Sequence, residues 1–312
     1  MPELPEVETT VRGIRKLVGK KIVDVWTDYN SPFYKGKNEI KNPVYFKDFR
    51  DLVIGTSLAG SERRAKNILI HLSTASKKAE AQTILIHMKM TGHVLHGKYQ
   101  FNAKKKADQW TAIEDGPLKD PFNRFIHFVL TFSDGTHLAL SDMRKFAKVT
   151  LIKTEELEHS LHTAHLGPEP LVKSFDVKQF KERLSLRPKA PIKSVLMDQS
   201  LISGIGNIYS DEILWRASVH PDSHFGKIPT KNISLMFTAM KHTLKKGIDF
   251  GGDSMSDYRN LDGERGNFQE HHEAYRRTKL PCRKRGCKGI ISRKVIGGRS
   301  AHFCETHQKL FI

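Results

Sequence analysis

The chain has 312 residues, of which 38% are hydrophobic, and its 52 Lys and Arg residues outnumber its 34 Asp and Glu residues, giving a formal net charge of +18 at pH 7. This length is sufficient for two sizeable hydrophobic cores and a small third module. Because no apolar run approaches the length of a membrane span and the start is acidic and helix-like, we expect a soluble protein without a secretory signal.

The positive charge recurs in separate clusters, which indicates a polyanionic partner. The clusters lie at residues 63–66, 104–106, 241–246 and 276–299. A solvated basic surface is a sufficient explanation for any one of them. No basic amphipathic segment with a strong apolar face accompanies them, so the pattern favours nucleic acid over a membrane surface.

The first eight residues, Met-Pro-Glu-Leu-Pro-Glu-Val-Glu, contain a candidate nucleophile. If Met1 is removed, the nitrogen of Pro2 becomes a secondary α-amine. Free α-amines have a reference pKa of roughly 7.7–8.0, so part of the population is unprotonated at neutral pH and able to attack an electrophilic carbon. Glu3 and Glu6 lie one helical turn apart beside it. The alternative is an ordinary helix start at a frayed terminus, which is the commoner meaning of such a pattern.

The first half of the chain predicts one helix followed by strands. Apolar residues at helical spacing predict a helix over 7–18, which Gly19 ends. Strand-like segments follow at 22–26, 57–60, 67–72, 83–90, 126–132, 136–140 and 146–152. Residues 133–135, Ser-Asp-Gly, predict a hairpin turn. Short strands without interleaved helices predict a β-sandwich or barrel, and the polar stretch 97–123 predicts a long surface loop.

Two patches at predicted strand ends mix basic and apolar side chains, one at 87–92 and one at 142–146. An enzyme that acts on a nucleobase must take the base out of the duplex and fill the gap that it leaves. Met90, Arg144 and Phe146 are suitable for that role. For any one of them alone, a core or surface role is the alternative.

From about residue 155 the pattern becomes helical. Predicted helices lie at 155–162, 176–184, 192–198, 209–216 and 232–247. The Gly204-Ile-Gly206 turn resembles part of a dinucleotide fingerprint, but no parallel βαβ unit surrounds it. A helix-turn-helix-like hairpin is the better interpretation, with Asn207 capping the second helix and its amides directed at a phosphate. A purely structural turn is the alternative.

The C-terminal region predicts a metal site. All three cysteines lie after residue 280, which argues against a disulfide framework and for a local metal site in a reducing compartment. Cys282 and Cys287 form one close pair, and Cys304 and His307 form the other. Three thiolates and one imidazole suit a tetrahedral structural Zn²⁺, and four protein ligands leave no open position for catalysis. His302 competes with His307 as the fourth ligand.

Together these motifs resemble those of bacterial formamidopyrimidine-DNA glycosylases, and the resemblance covers nearly the whole chain. The motifs that carry it are the start 1–9, the basic turn 63–66, the segment 165–171, the turn 204–209 and the terminal finger. The resemblance implies an α+β multidomain fold. Its expected parts are an N-terminal helix plus β-sandwich over 1–153, a helix–two-turns–helix domain over 154–274 and a zinc-finger β-hairpin over 275–312.

The resemblance also implies an activity. It predicts a bifunctional DNA glycosylase and abasic-site lyase for oxidised purines, chiefly 8-oxoguanine and formamidopyrimidines. The expected partner is double-stranded DNA containing oxidised bases or abasic sites. We expect one structural Zn²⁺, no redox or nucleotide cofactor, no membrane association, and a monomer in the bacterial cytoplasm.

Residue roles follow from the resemblance by position. Pro2 is the implied nucleophile, Glu3 the acid/base partner, Glu6 a structural carboxylate near the site and Lys66 the lysine near the lesion. The remaining implied DNA-binding residues include phosphate-binding and void-filling positions: His87, Met90, Arg144, Lys145, Phe146, Asn207 and Arg299. The stretch 251–268 resembles the family's lesion-capping loop, and we expect it to be mobile.

The chain departs from the family pattern in several places. Lys89 stands where the family usually has Gly, and Met143 and Lys145 replace Pro and Arg. The finger has a four-residue first gap, and His307 replaces a Cys. Three alternatives stay open: a related glycosylase for oxidised pyrimidines, a non-catalytic binder of damaged DNA, and a ribosomal or RNA-binding zinc protein. Intact Pro2 and Glu3 speak against the last two.

Overall fold

The structure is a computed structural model that describes residues 1–73, 80–105 and 107–312. Lys106, which belongs to one predicted basic cluster, lies outside the described residues. The chain forms two compact units, one of Met1–Ala164 with Phe250–Asn267 and one of His165–Asp249 with Phe268–Ile312. The predicted domain boundaries after residues 153 and 274 stay a prediction, because each compact unit combines two separate stretches of the chain. Among the described helices, none is both long and apolar enough to cross a membrane.

The first unit combines an N-terminal helix with two antiparallel sheets, which confirms the predicted helix plus β-sandwich. Its elements are α1 (Leu4–Arg15), β1 (Ile22–Thr27), α2 (Pro43–Val53), β2 (Leu58–Arg64), β3 (Asn67–Leu72), β4 (Gln82–His87), β5 (His93–Gly97), β6 (Tyr99–Phe101), β7 (Trp110–Ala112), β8 (Ile126–Phe132), β9 (His137–Ser141) and β10 (Lys148–Lys153). One sheet has the order β1-β8-β9-β5 and the other the order β10-β4-β3-β2.

Both sheets contribute side chains to one hydrophobic core. Phe128 of the first sheet and Ile68 and Ile84 of the second are at most 1% exposed, and Val7 of α1 joins the same cluster. The alternation that predicts these strands is therefore the alternation between core and outward positions along each strand. The predicted turn at 133–135 connects β8 to β9, which pair in register through Leu130 and Leu138.

The prediction of strands alone before residue 154 is wrong for α2. This helix follows Asn42, whose side-chain oxygen accepts a hydrogen bond from Val44 N at 3.2 Å, and it begins with Pro43. An Asn cap followed by Pro is an established helix start. Phe49 and Val53 are its buried residues. Two further predictions are wrong. Strand β5, His93–Gly97, is missing from the predicted strands, and the segment predicted as a helix at 155–162 forms a 3₁₀ helix over Thr154–His159 instead.

The predicted surface loop 97–123 contains folded structure. Strands β6 and β7 pair as a short hairpin, and 3₁₀ turns follow at Pro117–Lys119 and Pro121–Asn123. The Trp110 ring packs edge-on against Trp26, with 5.7 Å between ring centroids, and lies in a small second core. Strands of three residues are too short to show a hydrophobic period, so periodicity could not predict them.

The stretch predicted to be mobile is anchored within the first unit. Arg259 is only 3% exposed, and its guanidinium donates to both carboxylate oxygens of Asp120 at 3.0–3.2 Å. Asn123 Nδ2 donates to Gly263 O at 3.2 Å, and His96 N donates to Leu261 O at 2.7 Å. Residues of the folded 97–123 region, together with His96, therefore hold the segment in place.

The second unit consists of helices and a C-terminal hairpin, as predicted. Its elements are α3 (Val177–Ser185), α4 (Ile192–Met197), α5 (Asn207–Ala217), α6 (Thr230–Asp249), β11 (Ile291–Ile296) and β12 (Arg299–Cys304). Helix α5 packs against α4, α6 and β12. Glu212 of α5 is buried, and its carboxylate accepts backbone N–H bonds from Glu273, Ala274 and Tyr275 at 2.8–2.9 Å. These bonds tie the segment that leads into the hairpin to α5.

Candidate functional site

The predicted nucleophile lies in a buried cluster at the start of α1. Pro2 is buried, and Glu3 and Glu6 are 2% and 1% exposed. Glu6 Oε2 accepts a hydrogen bond from Glu3 N at 2.7 Å, and Glu6 Oε1 accepts one from Asp253 N at 2.8 Å. Tyr258 Oη donates to the carbonyl oxygen of Glu6 at 3.0 Å. Glu6 thus links the N-terminus to the 250–267 segment, an arrangement that holds Pro2 and Glu3 in place.

Met1 is 44% exposed, in contrast to the residues that follow it. The chain therefore leaves the buried cluster within one residue. Removal of Met1 would place a free secondary amine directly beside Glu3. In its uncharged form this amine has a lone pair and can act as a nucleophile.

Lys66 and His87 lie at neighbouring strand ends of the second sheet. Lys66 follows Ala65 in the tight turn between β2 and β3 and is 6% exposed. Asn67 pairs with His87 across β3 and β4, which brings the turn beside the imidazole. His87 Nδ1 accepts a hydrogen bond from Lys89 N at 2.9 Å, so Nε2 carries the ring hydrogen and can donate.

Two histidines of this unit are neutral at physiological pH. Burial, reinforced by the charges of Lys89 and Lys66, lowers the pKa of His87 to about 3. Burial lowers the pKa of His93 to about 4, and Nε2 of His93 lies 2.8 Å from Asn123 Oδ1. Both folded-state pKa values lie below the unfolded value of about 6.5. Between the folded and the unfolded pKa of each histidine, the unfolded chain therefore binds more protons than the folded chain.

Stability of the first unit is therefore expected to fall as the pH falls from about 6.5 towards 4. Each histidine should cost about 2 kcal/mol of unfolding free energy at pH 5 relative to pH 7. Urea unfolding at the two pH values measures this difference. His93→Gln should reduce this difference by about 2 kcal/mol, and an unchanged pH dependence in that variant would contradict the assignment.

The two patches with candidate wedge residues are joined by Asp142. Thr91 Oγ1 and Arg144 N donate to Asp142 Oδ1, the latter at 3.3 Å, and Ala147 N donates to Oδ2 at 2.7 Å. Burial, and then the negative charge of Asp142, raise the pKa of Tyr29, whose phenol also donates to Oδ2. A fully buried carboxylate therefore sets the conformation of both turns.

The side chains that these turns present are exposed. Met90 is 41% exposed and Phe146 is 48% exposed, although both are large and apolar. The Arg144 guanidinium lies 4.5 Å from the centroid of the Phe146 ring. Lys145 has a φ of 53°, and its ammonium contacts Asp28 at 3.0 Å. Exposed apolar side chains on well-anchored turns are suited to insertion into a partner.

Asp142→Asn is expected to destabilise the first unit by about 2 kcal/mol, because an amide nitrogen cannot accept the hydrogen bonds that Oδ2 now accepts. Urea unfolding followed by tryptophan fluorescence measures the loss. Thr91→Ser is the matched control, since it keeps the hydroxyl donor to Asp142. Wild-type stability in Asp142→Asn would show that Asp142 does not organise the turns.

In the second unit, the Gly204–Gly206 turn leads directly into α5. Gln199 holds the turn, because its Oε1 accepts from Gly204 N at 2.9 Å and its Nε2 donates to Ile205 O at 2.7 Å. The prediction that Asn207 caps α5 is wrong: Gly206 is the N-cap residue, and Asn207 is the first residue of the helix. Asn207 Oδ1 is buried and has no hydrogen-bond partner within the described residues.

His302 belongs to a buried ionic network and not to the cysteine cluster. Asp211 Oδ2 lies 2.9 Å from both His302 N and His302 Nδ1, and Asp211 Oδ1 accepts from Lys193 Nζ. Lys193 Nζ also donates to the carbonyl oxygen of Asn207 at 3.3 Å. The network joins α4, α5 and β12, and it places the candidate phosphate-binding turn on a rigid support.

The four predicted metal ligands converge at the base of the β11–β12 hairpin. The ligand atoms of Cys282, Cys287, Cys304 and His307 all lie within 4.8 Å of one another. Cys287 Sγ and Cys304 Sγ are 3.6 Å apart, and Cys282 Sγ lies 3.3 Å from His307 Nδ1. Zn–S bonds of about 2.3 Å and Zn–N bonds of about 2.0 Å in a tetrahedron require separations of this size. The cluster therefore fits a metal ion.

Neighbouring groups orient the ligands of this cluster. His307 Nε2 lies 3.1 Å from the carbonyl oxygen of Trp215, a contact that leaves Nδ1 directed at the cysteines. Trp215 Nε1 donates to Cys282 Sγ at 3.3 Å. A Cβ atom at Gly289 would lie 2.7 Å from Cys304 Sγ, so only glycine fits there. Arg299 is exposed at the first residue of β12.

Models of known families match both units of the chain. The "Formamidopyrimidine-DNA glycosylase N-terminal domain" matches residues 1–149, and the "Formamidopyrimidine-DNA glycosylase H2TH domain" matches residues 166–259. The formamidopyrimidine-DNA glycosylase of Bacillus subtilis is 34% identical over 97% of this chain and 98% of its own length. The formamidopyrimidine-DNA glycosylase of Halalkalibacterium halodurans is 35% identical over 99% of this chain and 100% of its own length.

The chain belongs to the formamidopyrimidine-DNA glycosylase family of DNA-repair enzymes. Solved family structures have the same fold. A Lactococcus lactis Fpg mutant bound to a Fapy-dG-containing DNA is similar with a TM-score of 0.80 and 28% identity, covering 99% of this chain and all of that one. A second Lactococcus lactis Fpg complex contains an abasic-site DNA and has a TM-score of 0.80, 28% identity and coverage of 98% and 99%.

The structure of this formamidopyrimidine-DNA glycosylase family member groups the predicted site residues in two sets. The first unit holds Pro2, Glu3, Glu6, Lys66, His87, Met90, Arg144, Lys145 and Phe146, and the second holds Asn207, Arg299 and the metal cluster. Sequence reasoning missed the supporting residues Asp142, Asp211 and Trp215. A buried Asp beside a Met-Arg-Lys-Phe turn carries no local signal, because its role depends on Thr91 and Tyr29, which are distant in sequence.

Proposed function

We propose that the chain is a bifunctional DNA glycosylase and abasic-site lyase that removes oxidised purines from double-stranded DNA. The observation that carries the proposal is the buried Pro2–Glu3–Glu6 cluster, which holds the nitrogen that removal of Met1 would free beside carboxylates at the start of a packed helix. Family membership supports the glycosylase reaction, and the N-terminal geometry supports covalent catalysis by Pro2.

The proposed reaction begins at the sugar of the damaged nucleotide. The lone pair of the Pro2 nitrogen attacks C1′, the bond from C1′ to the base nitrogen breaks, and the base leaves with a proton. The bond between C1′ and the ring oxygen O4′ then breaks, O4′ takes up a proton and stays on the sugar as a hydroxyl, and the nitrogen lone pair forms an iminium between Pro2 and C1′ of the opened sugar. Glu3 is the proposed acid/base group for the proton transfers, and Glu6 positions it.

Strand cleavage follows from the same intermediate. The iminium makes a C2′ proton acidic, and its removal expels the 3′ phosphate by β-elimination. A second, δ-elimination expels the 5′ phosphate, and hydrolysis of the remaining iminium frees Pro2. No redox or nucleotide cofactor enters these steps.

The remaining predicted residues supply binding in this proposal. Lys66 lies near the lesion, His87, Asn207 and Arg299 contact phosphates, and Met90, Arg144 and Phe146 fill the space left by the extruded base, with Lys145 beside them. The position of Asn207 in the first turn of α5, where backbone N–H groups can donate to an anion, and the exposed Met90 and Phe146 support these roles. Cys282, Cys287, Cys304 and His307 would hold one structural Zn²⁺, which supplies folding of the hairpin that carries Arg299. We propose a monomer that acts in the bacterial cytoplasm.

Cleavage of a lesion panel tests the proposal. Duplexes with 8-oxoguanine opposite C, a formamidopyrimidine or an oxidised pyrimidine are incubated with Met-processed protein, and both strand ends are identified. Efficient cutting of the two purine lesions with β,δ-elimination products is the expected result. Binding without base release would favour a non-catalytic binder. Preferential cutting of oxidised pyrimidines would favour a glycosylase for oxidised pyrimidines. The panel includes this lesion because a similar solved structure is a Lactococcus lactis Fpg in complex with an oxidised-pyrimidine DNA.

A further inference from the structure

Lys89 adopts a backbone conformation that side chains other than glycine rarely adopt. Its φ is 55°, in a tight turn closed by a hydrogen bond from Gly92 N to Met88 O at 3.0 Å. The left-handed region is strained for a residue with a Cβ, and such strain persists where the surrounding structure requires the residue. The side chain, and not the backbone preference, therefore explains a lysine at this position.

Three lysines converge where Lys89 lies. Lys148 pairs with His87 across β10 and β4, so it is beside the turn that begins after His87. Ile40 N donates to Val149 O at 3.1 Å, which brings the neighbouring Lys41 to the same end of β10. Burial, and then the charges of Lys148 and Lys41, lower the pKa of Lys89 while Glu39 opposes them.

The positive charge in this group exceeds the negative charge available to it. Lys41 lies 3.3 Å from Glu39, and both residues are almost fully buried. Within the described residues, no carboxylate oxygen lies within 4.0 Å of the ammonium of Lys89 or of Lys148. Glu39 therefore compensates Lys41, while Lys89 and Lys148 remain available for an anion.

The position of the group identifies the class of ligand. Lys89 directly precedes the exposed Met90, and its own N–H fixes His87 with Nε2–H available as a donor. An ammonium pair beside a neutral ring donor matches the oxygens of a phosphodiester. Lys66 borders the same strand end.

We propose that Lys89 and Lys148 form an additional phosphate-binding subsite on the DNA strand next to Met90. The inference rests on the proposed function, because it assumes that DNA binds this face. It assigns a binding role to Lys89, to which the family resemblance assigns none. Lys89 contributes one phosphate contact, and its left-handed backbone conformation carries the cost in strain.

The salt dependence of DNA binding tests the subsite. Binding of a duplex with an uncleavable tetrahydrofuran abasic analogue is measured from 50 to 300 mM salt for wild type, Lys89→Gly, Lys89→Arg and Lys47→Gln. Lys89→Gly should weaken binding roughly fivefold to tenfold at 0.1 M salt and reduce the slope of log K against log salt by about one. Its melting temperature should be unchanged or higher, because glycine relieves the strain.

The other variants separate this effect from a general change in charge. Lys89→Arg keeps the cation, so its slope should equal that of wild type. Lys47 is exposed on α2, and Lys47→Gln should also leave the slope unchanged. If Lys89→Gly binds DNA with the affinity and the salt slope of the wild type, the proposed subsite is wrong, while the proposed function still stands. Absence of DNA binding by the wild-type protein would overturn the proposed function as well.

Discussion

A form of the protein with a blocked N-terminus is expected to bind lesion DNA normally but to form no covalent adduct with it. In the proposed reaction, the nucleophile is the Pro2 nitrogen, and an amide nitrogen has no available lone pair for attack. Met1 is exposed, so a leader attached to it can extend into solvent without displacing the buried Glu3. The blocked protein should therefore keep its fold and its DNA affinity.

The experiment uses one polypeptide in two forms. A leader that a protease removes directly before Pro2 gives blocked and free protein from the same preparation. Each form is incubated with 8-oxoguanine duplex and borohydride, which reduces an iminium to a stable protein–DNA link. We expect adduct only after leader removal, and activity should rise at least about 100-fold, the scale of a lost catalytic group. Equal trapping in both forms would exclude Pro2 as the nucleophile.

Removal of His307 is expected to abolish metal binding and to weaken DNA binding strongly. His307 Nδ1 completes the cluster of Cys282, Cys287 and Cys304, and a structural Zn²⁺ contributes about 10–16 kcal/mol to the folding of such a site. Without the metal, the β11–β12 hairpin cannot hold Arg299 in position. The hairpin strands carry three basic side chains, those of Arg293, Lys294 and Arg299, and loss of their phosphate contacts should lower affinity on the order of 100-fold.

His302→Gln is the matched control for His307→Ala. His302 contacts Asp211, and a glutamine side chain can still donate a hydrogen bond to that carboxylate. We expect one zinc ion per chain in wild type and in His302→Gln, measured by release with a thiol-reactive mercurial and a chromogenic chelator, and none in His307→Ala. Retention of zinc in His307→Ala, with loss in His302→Gln, would reverse the ligand assignment.

Some features of this protein were predictable because local sequence determines them. Helix α1 follows from apolar spacing and from the Pro and Glu residues at its start, and the turn between β8 and β9 follows from Ser-Asp-Gly. The three metal-cluster cysteines could be predicted because they are the only cysteines in the chain. The fold class was predictable because the hydrophobic period changes from that of strands to that of helices.

The features that sequence reasoning missed depend on contacts between distant residues. Asp142 organises two turns through Thr91, which is 51 positions away, and Asp120 holds Arg259 across 139 positions. The short β6–β7 hairpin is stable because Trp110 packs on Trp26, not because of its own propensity. No local pattern contains this information.

The sequence by itself determined the chemistry available to this protein: an N-terminal proline beside two glutamates, a basic surface, and a set of zinc-type ligands. The tertiary structure decided how that chemistry is arranged. It directed His307 to the cysteines and His302 to Asp211, 91 positions away, made Gly206 the cap of α5, and gathered Lys89, Lys148 and Lys41 at one strand end. Residue types and spacing define possible ligands, whereas packing against other elements selects among them.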